Sequence, residues 1–112
     1  MFKMSIILSL LKDELERSKR MLANNQIEFM RFEKGSLFIR TIKNSHYAYR
    51  VFRSKDSKIV QTYLGVVDQK QINDLQTIEE KRKKLQSIIK VLKQEVSIIE
   101  QSVAAYERKS NR

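Results

Sequence analysis

Apolar residues recur on two different periods along this 112-residue chain. Between residues 3 and 23, Met4, Leu8, Leu11, Leu15 and Leu22 follow one another at steps of three and four, with Ser18 in the one remaining place. That spacing lays a single apolar stripe along a helix. Asp13, Glu14, Glu16, Arg17, Lys19 and Arg20 fall between and face water. Asn24-Asn25 predicts the helix end, because Asn accepts the left-handed cap conformation. The stripe reads as core packing. Its balance of acids and bases makes a membrane-surface helix the lesser reading. Residues 24–34 carry no decisive pattern, and QIEFMRFEK fits either an edge strand or a short helical turn.

The period then changes to two. Residues 35–65 read as three short strands, Ser36–Ile42, His46–Arg53 and Lys58–Leu64. They are rich in β-branched and aromatic residues and separated by the polar turns Lys43-Asn44-Ser45 and Ser54-Lys55-Asp56-Ser57. Gly65 is expected to stop the third strand. With Ile42 paired to His46 and Arg53 to Lys58, alternation assigns Leu37, Ile39, Tyr47, Tyr49, Val51, Val60 and Leu64 to an apolar face lying on a helix. Phe38, Arg40, His46, Arg50, Phe52, Gln61 and Tyr63 then share the other face. A one-residue slip in either hairpin redistributes both sets.

From Asp68 to about Lys109 the helical period returns. Leu75, Arg82, Ile89, Val96 and Val103 occupy a positions of a heptad, and Ile78, Leu85, Leu92, Ile99 and Tyr106 occupy d. A helix of about 40 residues spans roughly 60 Å, too long for the small sheet to cover. Burial of each apolar side chain is worth on the order of 1.5–3 kcal/mol, so the seam needs a partner. The first helix in an intrachain hairpin, or a second copy in a coiled coil, would supply one. Self-association as a homodimer is expected through Leu85, Ile89, Leu92, Val96, Ile99 and Val103.

The pattern therefore predicts one α+β domain over residues 1–112: a three-stranded antiparallel sheet (35–65) between an N-terminal helix (3–23) and a long C-terminal coiled-coil helix (68–109). The apolar run Ser5–Leu11 is too short to span a bilayer and has no small-residue cleavage site after it, so a soluble, cytoplasmic protein is expected. The absence of cysteine excludes disulfides and thiolate metal sites and suits a reducing compartment. A single histidine, His46, excludes a His-rich metal site within one chain.

Charge sharpens the functional reading. The net charge is +10, and residues 34–65 hold 7 basic residues against 1 acidic. A surplus concentrated on one small element points to a polyanionic partner. No catalytic constellation accompanies it: there is no glycine-rich phosphate loop, His46 has no evident carboxylate partner, and Glu79-Glu80 diverge by about 100° on their helix. No enzymatic activity, cofactor or metal is expected. The candidate binding residues are Arg40, Arg50, Arg53, Lys55, Lys58, Gln61 and Tyr63. Arginine donates paired hydrogen bonds to phosphate or guanine, and aromatic rings stack on exposed bases. The run Lys81–Lys84 reads first as a solvated helix face and second as an auxiliary phosphate contact.

Gly35-x-Leu37, Arg40-x-Ile42, Tyr47-x-Tyr49-Arg50, Lys58 and Tyr63-Leu64-Gly65, followed by a charged coiled coil, resemble a group of small uncharacterised phage and mobile-element proteins. The likeness covers roughly residues 35–100. The hairpin style is also similar, more loosely, to N-terminal DNA-binding segments of transposases and integrases. Lys43-Asn44-Ser45 stands where an Asn-Gly turn is common, and the helix over 3–23 is an addition. The resemblance implies a DNA- or RNA-binding accessory protein. Its alternative is an inhibitor of a host defence nuclease, of the anti-CRISPR type, that binds the nuclease–RNA complex. A structural coiled-coil adaptor is the third class.

Overall fold

The structure, a computed structural model, describes the backbone of residues 2–110 and the side chains of residues 6–109. Met4 of the predicted stripe lies outside the described side chains. Five elements follow in order: α1 (Phe2–Met30), β1 (Ser36–Ile42), β2 (Ser45–Arg53), β3 (Ile59–Val67) and α2 (Gln69–Ser110). The architecture is α+β, with an antiparallel sheet of order β1-β2-β3 between two helices in the sequence. The chain gathers into two compact units. One consists of α1 with α2 from Leu85 onward, and the other of residues Arg31–Lys84. No helix among the described residues is long and apolar enough to cross a membrane.

In the helical unit α1 does not stop at Asn24-Asn25 but continues to Met30. Asn25 Nδ2 donates to the Met21 carbonyl at 2.7 Å, one turn back. The amide is thus satisfied inside the helix and releases no cap. The stripe runs on at the same spacing through the half-buried Asn25 and Phe29, which settles residues 26–30 as helix. Ser18, the smallest side chain of the stripe, is also its most buried, at 1 % exposure. From α2, Leu92 and Val96 are buried, while Leu85, Ile89, Ile99, Val103 and Tyr106 are half-buried. Lys12 Nζ pairs with Glu107 Oε1 at 3.1 Å, joining the early part of α1 to the late part of α2 as an antiparallel hairpin requires. The intrachain hairpin thus covers part of the seam.

In the sheet unit both hairpins pair one residue away from the expected register. Ile42 faces Ser45, and Thr41 faces His46. The first turn is therefore only Lys43-Asn44, with φ of 47° and 66°. Positive φ at both central residues makes the mirror-image turn whose twist suits adjoining strands, and Asn tolerates it well. The second turn places Arg53 opposite Ile59. Ser57 N–H donates to Ser54 O and Ser54 N–H to Lys58 O, with Ser57 at φ 62°, a three-residue turn closed by a left-handed residue. Gly65 does not end β3, which runs to Val67. It faces Ala48 at a β-bulge beside Tyr49, and its φ of 127° is one that glycine adopts freely. Gly35 enters β1 at φ 101°, where a Cβ would lie 2.9 Å from the Val51 carbonyl oxygen.

Asp68 caps α2. Its Oδ1 accepts from Gln71 N–H at 2.8 Å, while Gln71 Oε1 accepts from Asp68 N–H at 2.9 Å, a reciprocal capping box. The early turns of α2 bury Ile72, Glu79 and Arg82 in the sheet unit.

Candidate functional site

The one-residue shift moves every β2 side chain to the opposite face from the one expected. Leu37 now stands opposite Arg50, Ile39 opposite Ala48 and Phe52 opposite Val60. This face is covered: Ala48 is fully buried and Leu37, Ile39, Phe52 and Val60 are half-buried. Tyr47, Tyr49 and Val51, expected beneath a helix, turn to the open face instead. They share it with Phe38, Arg40, Gln61 and Tyr63.

Arg50 shows the consequence most directly. Sequence placed it among the nucleic-acid contacts, yet it is only 5 % exposed. Its Nη1 donates to Glu79 Oε2 at 2.6 Å and lies 3.4 Å from the Gly35 carbonyl, and its Nε lies 3.6 Å from Glu33 Oε2. Glu79 is the hub of this cluster. Its Oε2 also accepts the Leu37 backbone N–H at 2.9 Å, and its Oε1 accepts Arg82 Nε at 2.8 Å with Arg82 Nη2 at 2.6 Å. Burial pushes the Glu79 carboxyl up. The hydrogen bonds from Arg82 and Leu37 and the charges of both guanidiniums outweigh it, holding the carboxyl below the usual range. Arg50 is therefore a structural residue.

The same cluster corrects the heptad. The expected d residue Ile78 is 44 % exposed, whereas its neighbour Glu79 is 6 % exposed. A carboxylate reaching two arginines and a strand N–H takes the inward position that an apolar pattern assigns to isoleucine. Arg82 keeps its expected inward place because Glu79 neutralises it. His46 is occupied as well, its Nδ1 lying 2.8 Å from Thr41 Oγ1 on the adjacent strand.

What remains on the open face is an aromatic row flanked by cations. Phe38, Tyr49 and Tyr63 are directly opposite one another across the three strands. The Tyr49 and Tyr63 rings are 5.3 Å apart and tilted by 49°, a favourable aromatic geometry. Phe38 and Tyr63 are each 54 % exposed. In the adjoining row Arg40 faces Tyr47, and beyond Val51 and Gln61 lies Arg53. Arg40, Arg53 and Gln61 are exposed, as are Lys55 and Lys58 at the second turn and Lys43 at the first. Six of the seven residues proposed from sequence are thus on the surface, and Arg50 is not. Phe38 lies on the face where sequence placed it, and Tyr47 and Tyr49 are the residues of this candidate face that sequence reasoning missed. The signals that mark them are Asn44, suited to a two-residue turn, and a glycine within an apolar strand run, which marks a bulge.

The expected self-association residues are differently placed. Leu92 and Val96 lie inside the helical hairpin, and Leu85, Ile89, Ile99 and Val103 are partly covered there. Comparison of the chain with protein-family models, with curated proteins and with solved structures gives no match.

Proposed function

We propose that this protein binds nucleic acid on the open face of its sheet, with single strands preferred over duplex, and that it acts as a binding module rather than an enzyme. The observation that carries this reading is the aromatic row Phe38–Tyr49–Tyr63, exposed at both ends and half-buried at Tyr49, with Arg40 and Arg53 on either side. Neighbouring strands are about 4.8 Å apart, so three rings offer a platform roughly 10 Å wide. Unstacked bases can lie on such rings while the arginines and turn lysines hold the phosphates. The charge distribution supports the same reading, since residues 31–84 carry 13 basic against 6 acidic side chains. A cysteine-free chain suits the cytoplasm, where a phage or mobile-element accessory factor would act.

Fluorescence anisotropy with a labelled oligonucleotide tests it. Binding should weaken steeply with salt. Phe38→Ala or Tyr63→Ala should cost about 1–3 kcal/mol per stacked base, and Arg40→Ala should flatten the salt slope. Equal affinity for single strand and duplex, with neutral ring variants, would overturn the stacking reading.

A second reading rests on Ile42, Ile59 and Val66, which are exposed around the aromatic row. An apolar rim of this kind favours a protein surface, as an inhibitor of a nuclease–RNA complex would need. That reading requires negligible binding to bare oligonucleotide and loss of nuclease inhibition in Ile59→Asp.

A further inference from the structure

The free edge of β1 and the early part of α2 border a groove of about 490 Å³, a size suited to one small ligand. Leu37, Phe38 and Ile39 line it from the strand, and Gln76, Glu80 and Lys83 from the helix. The three helix residues stand at i, i+4 and i+7, on one face. All three are exposed. Neither Glu80 nor Lys83 is ion-paired among the described residues. The strand adds main-chain groups. Leu37 N–H points away from β2, to Glu79 Oε2 at 2.9 Å, and alternation turns the N–H and C=O of Ile39 to the same edge. Phe38 belongs to two surfaces, since it ends the aromatic row Tyr63–Tyr49–Phe38 and also lines the groove.

We infer that this groove takes one unstacked base of a bound strand and that Glu80 selects guanine. The inference rests on the stacking reading of the open face. A strand laid across the aromatic row reaches the β1 edge at Phe38, and its next base falls at the groove. Three strand residues extend about 10 Å, enough for one base and too short for a docking β-strand of the usual ~5–6 residues. Glu80 repels phosphate, so a carboxylate without an ion-pair partner here serves hydrogen-bond donors. On nucleic acid those donors are base N–H groups. Among the common bases only guanine sets two donors, N1–H and N2–H, side by side on its pairing edge, to match the two oxygens of a carboxylate. Its O6, next to N1, is an acceptor for Lys83 Nζ, one helical turn from Glu80. The Gln76 amide and the Ile39 main chain offer a donor and an acceptor for the rest of the base edge.

Anisotropy with short thymidine oligonucleotides tests the inference, each strand carrying guanine, hypoxanthine or adenine at its centre. Hypoxanthine is guanine without the 2-amino group, and adenine lacks both donors. The wild-type chain should bind the guanine strand about 5- to 150-fold more tightly than the adenine strand, the discrimination of one bidentate contact, with hypoxanthine between them. Glu80→Gln should bring the three affinities together while the plain thymidine strand binds as well as before or better, because a repulsive charge is gone. Lys83→Ala should narrow the guanine preference without reversing it. A wild-type chain that binds single strands with no base preference would overturn the inference and leave the stacking reading standing. A guanine preference that survives in Glu80→Gln, with all affinities raised alike, would overturn it too, by assigning Glu80 to charge repulsion alone. Failure to bind any of the strands would overturn both readings together.

Discussion

In the helical hairpin, burial follows hydrophobic periodicity: Leu92 and Val96 are inside, Leu15 and Leu22 are partly covered, and ion pairs such as Lys12–Glu107 stay at the surface. In the sheet unit, by contrast, two arginines and a glutamate are among the most buried side chains, while Phe38 and Tyr63 are open to solvent. The charge balance follows the same division. The segments 1–30 and 85–112 carry 10 basic and 7 acidic residues, against 13 and 6 in residues 31–84. A stripe that repeats every seven residues can be buried by another helix of matching period, and nothing else is needed. A three-stranded sheet has too little apolar surface to cover both faces. It is fixed by a specific polar cluster on one face, which frees the other for aromatic side chains that a folding core would otherwise claim. The difference separates a region closed by helix packing from a region closed by polar contacts, whose aromatic face is left open.

The largest effect should come from removing the hub of the sheet unit. Glu79→Ala strands two guanidiniums and the Leu37 N–H, and breaking a buried pair in this way costs about 3–5 kcal/mol. Urea denaturation should show that loss, while Ile78→Ala, one residue away on the solvent side, should cost far less. Equal costs for the two would erase the distinction between heptad burial and polar burial.

Acid should act on the same point. The Glu79 carboxyl is depressed in the folded state, whereas an unfolded glutamate titrates near ~4.3. The unfolded chain therefore binds the proton first. Stability from Glu79 is present above that pH and is lost as pH falls through the lower folded value. Urea midpoints measured from pH 6 down to pH 3 should fall for the wild type, with a shallower decline in Glu79→Gln.

Smaller changes probe the hairpin and the turns. Ser18 Oγ is buried with no hydrogen-bond partner among the described residues. Ser18→Ala should raise thermal stability by about 1 kcal/mol, since an unsatisfied buried hydroxyl is costly. The reverse sign would reveal a hydrogen bond to Ser18. The slightest gain, about 0.5 kcal/mol, is expected from Asn44→Gly at the left-handed turn position. Oligonucleotide affinity should be unchanged, because the turn keeps its register.

Sequence by itself determined the elements and their order. The step of three and four in Leu8, Leu11, Leu15 and Leu22, and again from Leu85 to Tyr106, is intrinsic to a helix with one buried side. The β-branched and aromatic run from Leu37 to Leu64 is intrinsic to strands. Each signal is local and repeats, so it is legible without knowing its partner. Sequence also located the basic element and six candidate residues that are exposed on it. The tertiary structure decided the sheet faces, because they depend on register. Lys43-Asn44 had to be distinguished from a three-residue turn, and a single step there exchanges Arg50 for Tyr49 on the open side. It also decided that the helix continues past Asn25 to Met30 and that Glu79 turns inward. In both places a polar group is satisfied by one particular partner, the Met21 carbonyl for Asn25 and Arg50, Arg82 and the Leu37 N–H for Glu79. Hydrogen bonds between groups as much as 42 residues apart, such as Leu37 N–H to Glu79, leave no periodic trace in the chain.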